Sequence, residues 1–250
     1  MTIKLSVILA AGMGTRLKEL GKSQPKGFLQ LGNRPIIVES IIKLLNSGVE
    51  RIVIVTGHLA EFYDELKSYY PQVTTIYNPL YGTSGSMYSL YCARQVIDQD
   101  FLLLESDLIY EQRTLTATIN FPQNNVVLLS GQTNAGDEVY VETSGHTISA
   151  ISKDTSSFNH SPTGELVGIC KISLPLFKRM IDYAQIKFRT TFKVDYETDA
   201  LVKVAQSYPI YYTLFPDLLW AEIDDSNHLL RAQEQVYPSI LNKDGFLGNE

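Results

Sequence analysis

Leu5-Ser6-Val7-Ile8-Leu9-Ala10-Ala11-Gly12-Met13-Gly14-Thr15-Arg16-Leu17 is the stretch on which the reading of this chain turns. Residues 5–9 are a short apolar run with β-branched members, the pattern of a strand buried on both faces. The run empties into small residues, two glycines and an arginine, and Pro25-Lys26-Gly27 follows nearby. Small side chains let backbone N–H groups approach an anion closely, and two cations neutralise it. The stretch therefore reads as a strand ending in a cradle for a nucleotide's phosphates.

Outward from this loop the chain alternates strands and helices. A turn at Gly32-Asn33-Arg34-Pro35 opens a helix over 36–46, which Gly48 ends. Residues 51–56 are a second buried strand, 60–70 a helix stopped by Pro71, and 73–77 a third strand. A loop through Gly82-Thr83-Ser84-Gly85-Ser86 precedes a helix over 87–96, and the strand 101–104 ends in Glu105-Ser106-Asp107. This rhythm predicts an α/β fold: a Rossmann-like, mixed but mostly parallel sheet with helices on both faces. Ligands of such sheets sit at the carboxyl ends of the strands, where all three loops lie. Beyond Asp107 we expect a strand at 126–130, an antiparallel hairpin over 136–151 turning at Ser144-Gly145, and a strand at 166–172. Helices are predicted over 175–187 and 197–206, the second capped by Asp195, with a strand at 210–214 between them and a last helix from Asp224-Asp225-Ser226 to about Tyr237. The whole of 1–250 is read as one domain, with 131–165 as a hairpin insertion on its acceptor side.

Composition narrows the partners. The 250 residues are 44% hydrophobic and 19% charged with a net charge of -6, an ordinary globular balance with no basic block. Nucleic acid is disfavoured because a phosphate backbone needs a concentrated positive face, whereas a nucleotide needs only one or two placed cations. No segment approaches the length of a membrane span. Lys4 and the apolar run after it superficially resemble a leader, but the run is short and Arg16 and Lys18 follow at once, so we read a first strand. Cys92 and Cys170 have no metal-ligand spacing and are expected as buried, reduced thiols of a cytoplasmic protein. A homodimer is one assembly open to the chain.

Two nucleotide motifs fail on the opening loop. The dinucleotide fingerprint needs a third glycine where Leu17 stands, and a phosphate loop ending at Gly21-Lys22-Ser23 would need a glycine where Arg16 stands. What remains, L-A-A-G-x-G-T-R-L with a downstream P-K, resembles the nucleotidyltransferases that activate sugar or alcohol phosphates. The likeness continues through Gly82 to Ser86, Glu105 to Tyr110, and Trp220-Ala221-Glu222-Ile223-Asp224, and is greatest to the branch that makes cytidylyl-linked amino alcohols and aminophosphonates. It covers roughly residues 3–240.

The resemblance implies transfer of CMP from CTP to 2-aminoethylphosphonate, with phosphocholine or a sugar 1-phosphate as alternative acceptors. It implies nucleotide contacts from Leu9, Ala10, Ala11, Gly12, Gly14, Thr15, Ser84, Gly85 and Ser86, with Arg16 on the β- and γ-phosphates and Lys26 at the α-phosphate. Mg²⁺ is expected on Asp107 and Asp224, with Glu222 as the alternative to the latter. Asp224 could instead cap the last helix. The acceptor carries a cation at its far end: Asp137, Glu165 and Glu197 are carboxylate candidates for a primary ammonium, and Tyr140, Tyr196 and Trp220 aromatic candidates for a trimethylated one. A non-catalytic nucleotide-binding module remains as a reading from another class. His58 is expected to be structural.

Overall fold

A computed structural model describes residues 3–136 and 138–245. In chain order it contains β1 (Leu5–Ala10), α1 (Glu19–Ser23), α2 (Ile36–Asn46), β2 (Arg51–Thr56), α3 (Ala60–Glu65), β3 (Val73–Tyr77), α4 (Ser86–Cys92), β4 (Phe101–Glu105), β5 (Leu108–Tyr110), α5 (Arg113–Asn120) and β6 (Val126–Ser130). There follow β7 (Tyr140–Ser144), β8 (Thr147–Ser152), β9 (Gly164–Ile172), α6 (Leu174–Lys187), α7 (Val202–Ala205), β10 (Tyr211–Phe215), β11 (Trp220–Glu222), α8 (Ser226–Arg231) and α9 (Tyr237–Asp244).

Nine strands form one sheet in the order β3-β2-β1-β4-β9-β6-β10-β8-β7. From β3 to β4 every neighbour is parallel. The first residues of each strand alternate between two cores: Leu5, Val7 and Leu9 face one, and Ile8 and Ala10 face the other. Helices α4 and α6 pack on the first face and α2, α3 and α5 on the second, so the central strands are covered on both sides. The far half is antiparallel around β9, which pairs with β6 along one edge and, on the other, with β7 at its start and β4 at its end, whereas β6 and β10 are parallel. Strands β6, β10, β8, β7 and β9 thereby close into a ring, and their Leu129, Val141, Ile148, Ile151 and Leu166 join the first core.

A second, two-stranded ribbon joins β5 to β11, setting Leu108 opposite Glu222 and Tyr110 opposite Trp220. Neither strand has a sequence signal of its own, since three residues are too few to show a period. The last helical segment also differs from expectation. It continues past Tyr237 to Asp244, and Pro238 begins a new stretch rather than ending the helix because it sits in a first turn. Asp195 stands at the N-cap position of the 196–205 helix, as expected, but its side chain makes no capping bond there. Its carboxylate accepts hydrogen bonds from the Ser86 N–H and hydroxyl at 3.1 and 3.2 Å, so it caps α4 from across the fold. Cys92 is half-buried, Cys170 buried, and both are free.

Candidate active site

The β1 loop is shaped by its glycines. Gly14 adopts φ 59°, a left-handed turn into Thr15–Leu17 that a side chain would strain. Its backbone carbonyl receives Leu17 N–H, and Ser106 N–H donates to Leu9 O at 3.0 Å, tying the ends of β1 and β4 together. Gly27 lies against the Tyr63 hydroxyl and Ser106 O, close enough that any Cβ would collide. That contact seats Lys26 beside the residue after Ser106, which is Asp107.

Lys26 Nζ lies 2.7 Å from Asp107 Oδ2 and 2.5 Å from Asp224 Oδ1, and Arg16 reaches Asp224 Oδ1 at 2.8 Å. Lys26 is 81 residues from Asp107 and 198 from Asp224 in the chain. The ribbon makes the meeting: Ile223 N–H donates to Asp107 O at 3.1 Å, so β11 delivers Asp224 to the β4 loop. Asp224 is not a helix cap. Asp225 does that work, accepting from the N–H groups of Asn227 and His228, which leaves the Asp224 carboxylate for the two cations. Burial works against the charge on Lys26, but Asp107 and Asp224 outweigh it and hold its pKa above the ordinary lysine value.

These groups line a cleft of about 320 Å³. Of the nucleotide residues expected from the sequence, Leu9, Ala11, Gly12, Arg16, Ser84, Gly85 and Ser86 are in its wall, together with Lys26, Asp107 and Asp224. Ala10, Gly14 and Thr15 are not. The wall also contains Glu105, Glu197, Glu222 and Lys153, which continue into an adjoining cavity with Leu108, Val139 and Gly168. Glu105, the last residue of β4, accepts from the buried Tyr196 hydroxyl at 2.8 Å, and Ser86 donates to Glu197 at 3.2 Å. Burial, then neighbouring carboxylates, raises the pKa of Glu105, Glu197 and Glu222 above the usual range; the neighbours are Glu197 and Asp107 for the first, Asp195 for the second, and Asp107 and Glu105 for the third.

Of the acceptor carboxylates expected from sequence, Glu197 faces the cleft. Glu165 lies outside its lining. It is buried, and its carboxylate accepts the Thr133 N–H at 3.0 Å and the Thr133 hydroxyl at 2.7 Å, fastening the loop after β6. Asp137 lies outside the described residues. Tyr196 stands behind Glu105, and Tyr140 and Trp220 are absent from the lining of both cavities. His58 lies outside the cleft lining, with Nε2 3.0 Å from Gly21 O. Two charged residues of the wall, Glu105 and Lys153, had no individual role in the sequence reading. Glu105 had a signal, a charge terminating an apolar strand, whereas Lys153, just beyond β8, had none.

Three carboxylates, Glu105, Asp107 and Glu222, bring one oxygen each within 4.8 Å of one another. An all-oxygen set with surplus negative charge suits a hard divalent cation. A strand-end loop with paired cations, facing such a set across a nucleotide-sized cleft, defines a nucleotidyltransferase. The chain belongs to the family of MobA-like NTP transferase domains, whose model matches residues 6–153. It is 30% identical over 192 residues to 2-aminoethylphosphonate cytidylyltransferase of Lancefieldella rimae, covering 74% of each chain. It is 34% identical over 128 residues to CMP-5'-(3-aminopropyl)phosphonate synthase of Streptomyces rubellomurinus, covering half of this chain but only 20% of that longer protein. The structure superimposes with a TM-score of 0.75 on CTP:phosphocholine cytidylyltransferase of Streptococcus pneumoniae, 20% identical, covering 94% of this chain and 99% of that one.

Proposed function

We propose that this chain transfers CMP from CTP to 2-aminoethylphosphonate, releasing pyrophosphate. A phosphonate oxygen attacks the α-phosphorus as the bond to the β-phosphate oxygen breaks. Both reactants are anions, so the site's task is to screen charge and align them. Arg16 holds the β- and γ-phosphates, and Lys26 the α-phosphate and the incoming oxygen, where charge accumulates. Leu9, Ala11 and Gly12 cradle the triphosphate, Gly14 sets the turn that follows, and Ser84 to Ser86 face the base and ribose.

Mg²⁺ fits the donor set: Asp107 and Glu222, with Glu105, would hold it, and Asp224, engaged here by Lys26 and Arg16, would complete the set once those cations turn to phosphate; when bound, the metal would neutralise phosphate oxygens and polarise the phosphorus. The observation that carries the reading is the placement of Lys26 between Asp107 and Asp224 at the mouth of the β1 loop. A non-catalytic nucleotide module has no use for this convergence.

The acceptor reading rests on Glu197, which lines both the cleft and the adjoining cavity; Glu105 and Glu222 line both as well but lie beside Asp107. Among the described residues no aromatic side chain lines the adjoining cavity. A primary ammonium donates to carboxylates, whereas trimethylammonium cannot donate and favours an aromatic enclosure. This favours aminoethylphosphonate over phosphocholine. Glu165 then serves by holding the loop over this region, and the unassigned Asp137 is the remaining acceptor candidate.

Pyrophosphate release tests the proposal directly. CTP, UTP, ATP, GTP and dTTP are crossed with aminoethylphosphonate, phosphocholine, phosphoethanolamine and glucose 1-phosphate in the presence of Mg²⁺. The expected maximum is CTP with aminoethylphosphonate. Absence of release dependent on that acceptor would end this reading, and a maximum with phosphocholine would transfer it to the alternative.

A further inference from the structure

One residue holds the phosphate loop at both of its ends. His58 lies in the turn after β2, where its N–H donates to Ala11 O at 3.4 Å and its Nε2 stands 3.0 Å from Gly21 O. A carbonyl can only accept, so Nε2 carries the hydrogen. The preceding Gly57 lies so close to the loop that a Cβ would meet Ala11 O at 2.7 Å and Tyr81 Cβ at 2.5 Å. The His58 ring is 6.3 Å from that of Tyr81, which is in the cleft wall.

Residues 12–20 lie between the two carbonyls, with Arg16 at their centre. The span is folded tightly on itself: Gly21 packs on Gly14, where a Cβ would lie 2.2 Å from Gly14 O. Lys18 adopts φ 54°, a left-handed conformation that a lysine holds only where its surroundings over-determine it. His58 supplies that constraint by tying the end of the span back to its beginning. Ordering a slack segment at the moment of binding weakens affinity, and a preset one avoids that loss. We propose that His58 is a positioning residue for the triphosphate, presetting the loop so that Arg16 meets the β- and γ-phosphates. This rests on the role given to Arg16 in the functional reading above. Lys26 and residues 84–86 lie outside the span, so His58 should matter for the outer phosphates and not for the nucleoside monophosphate part.

Titration calorimetry of the full chain with CTP and with CMP, both with Mg²⁺, tests this. His58→Phe keeps a ring beside Tyr81 and removes the donor to Gly21 O. Loss of that one hydrogen bond should weaken CTP binding about threefold to tenfold, while CMP binds as it does to wild type. His58→Gln, whose side-chain amide can donate over a similar reach, should restore most of the CTP affinity. In pyrophosphate release with aminoethylphosphonate, His58→Phe should raise the KM for CTP by the same factor and lower kcat much less. Equal weakening of CTP and CMP would reduce His58 to general support of the fold, and unchanged CTP affinity would show that the loop needs no such tie; either result overturns the inference while the function stands. If the wild-type chain binds no CTP, the functional reading fails first and the inference with it.

Discussion

Lys26 is the residue on which the site's chemistry is most exposed to test. A donor aimed at charge that develops during reaction is worth roughly 3–4 kcal/mol, so Lys26→Ala should lower kcat by about two to three orders of magnitude. The KM for CTP should change much less, because Arg16 and the loop backbone remain; steady-state kinetics separate the two. The same residue makes a prediction about metal. Its ammonium sits between Asp107 and Asp224 and competes with any cation there. Lys26→Met should therefore tighten Mn²⁺ binding without nucleotide by about tenfold, roughly 1.4 kcal/mol, as read by electron paramagnetic resonance. Unchanged or weaker binding would remove these two carboxylates from the metal site. At this scale the sequence was informative where spacing is local: Arg16 and Lys26 stand at fixed distances from the glycines of one loop. It was silent on Lys153, whose place depends on where a hairpin ends in space, and ambiguous on Asp224, whose neighbour Asp225 proved to be the cap.

Among the elements, the β5–β11 ribbon is the one that assembles the site, and Glu111 holds its end. The Glu111 carboxylate accepts from the Leu219 N–H at 2.7 Å, just before β11, and pairs with Arg113 and with Lys243 at 3.1 Å. Burial works against its charge, but Arg113, the Leu219 N–H and Lys243 outweigh it, so its pKa lies below the usual carboxylate value. A pKa lowered by folding contributes stability above the unfolded value, and that contribution is lost as pH falls through the folded one. Glu111→Gln should therefore destabilise the protein by about 1–3 kcal/mol at pH 7, and the difference from wild type should shrink on acidification. Urea unfolding at pH 7 and at pH 4 checks both the size and the sign. The ribbon itself was illegible in the sequence: its two strands are 110 residues apart in register, from Tyr110 to Trp220, and neither is long enough to show a period. The longer strands were legible because burial on both faces makes them continuous apolar runs.

Across the whole molecule, the segment after Asp224 acts as a strap over the nucleotide side of the sheet. Its helices bury Ala232, Val236, Tyr237 and Ile240 against Leu29, Ile36 and Ile109. Its far end is pinned by Asp244, which pairs with the buried Lys43 at 2.9 Å and accepts the Gln112 N–H at 3.0 Å. Asp244→Ala leaves the buried Lys43 ammonium without its carboxylate, with the Tyr110 carbonyl as its remaining hydrogen-bond partner among the described residues, and should cost about 3–5 kcal/mol. Thermal unfolding should show the loss, and the double change Lys43→Met with Asp244→Leu should recover most of it, since a buried pair replaced by apolar groups is often neutral.

By itself the sequence determined the α/β class, the three strand-end loops and the two cations of the first loop. These follow from local physics: apolar runs that must be buried, and glycines that let backbone approach an anion. The tertiary structure decided what those loops share. It set Asp224 on Lys26 and Arg16, turned Asp195 into a cap for a distant helix, committed Glu165 to its own loop, and closed the far half of the sheet into a ring. Each of these is a contact between residues tens to hundreds of positions apart, and such contacts depend on register and strand order rather than on any pattern within a window of sequence.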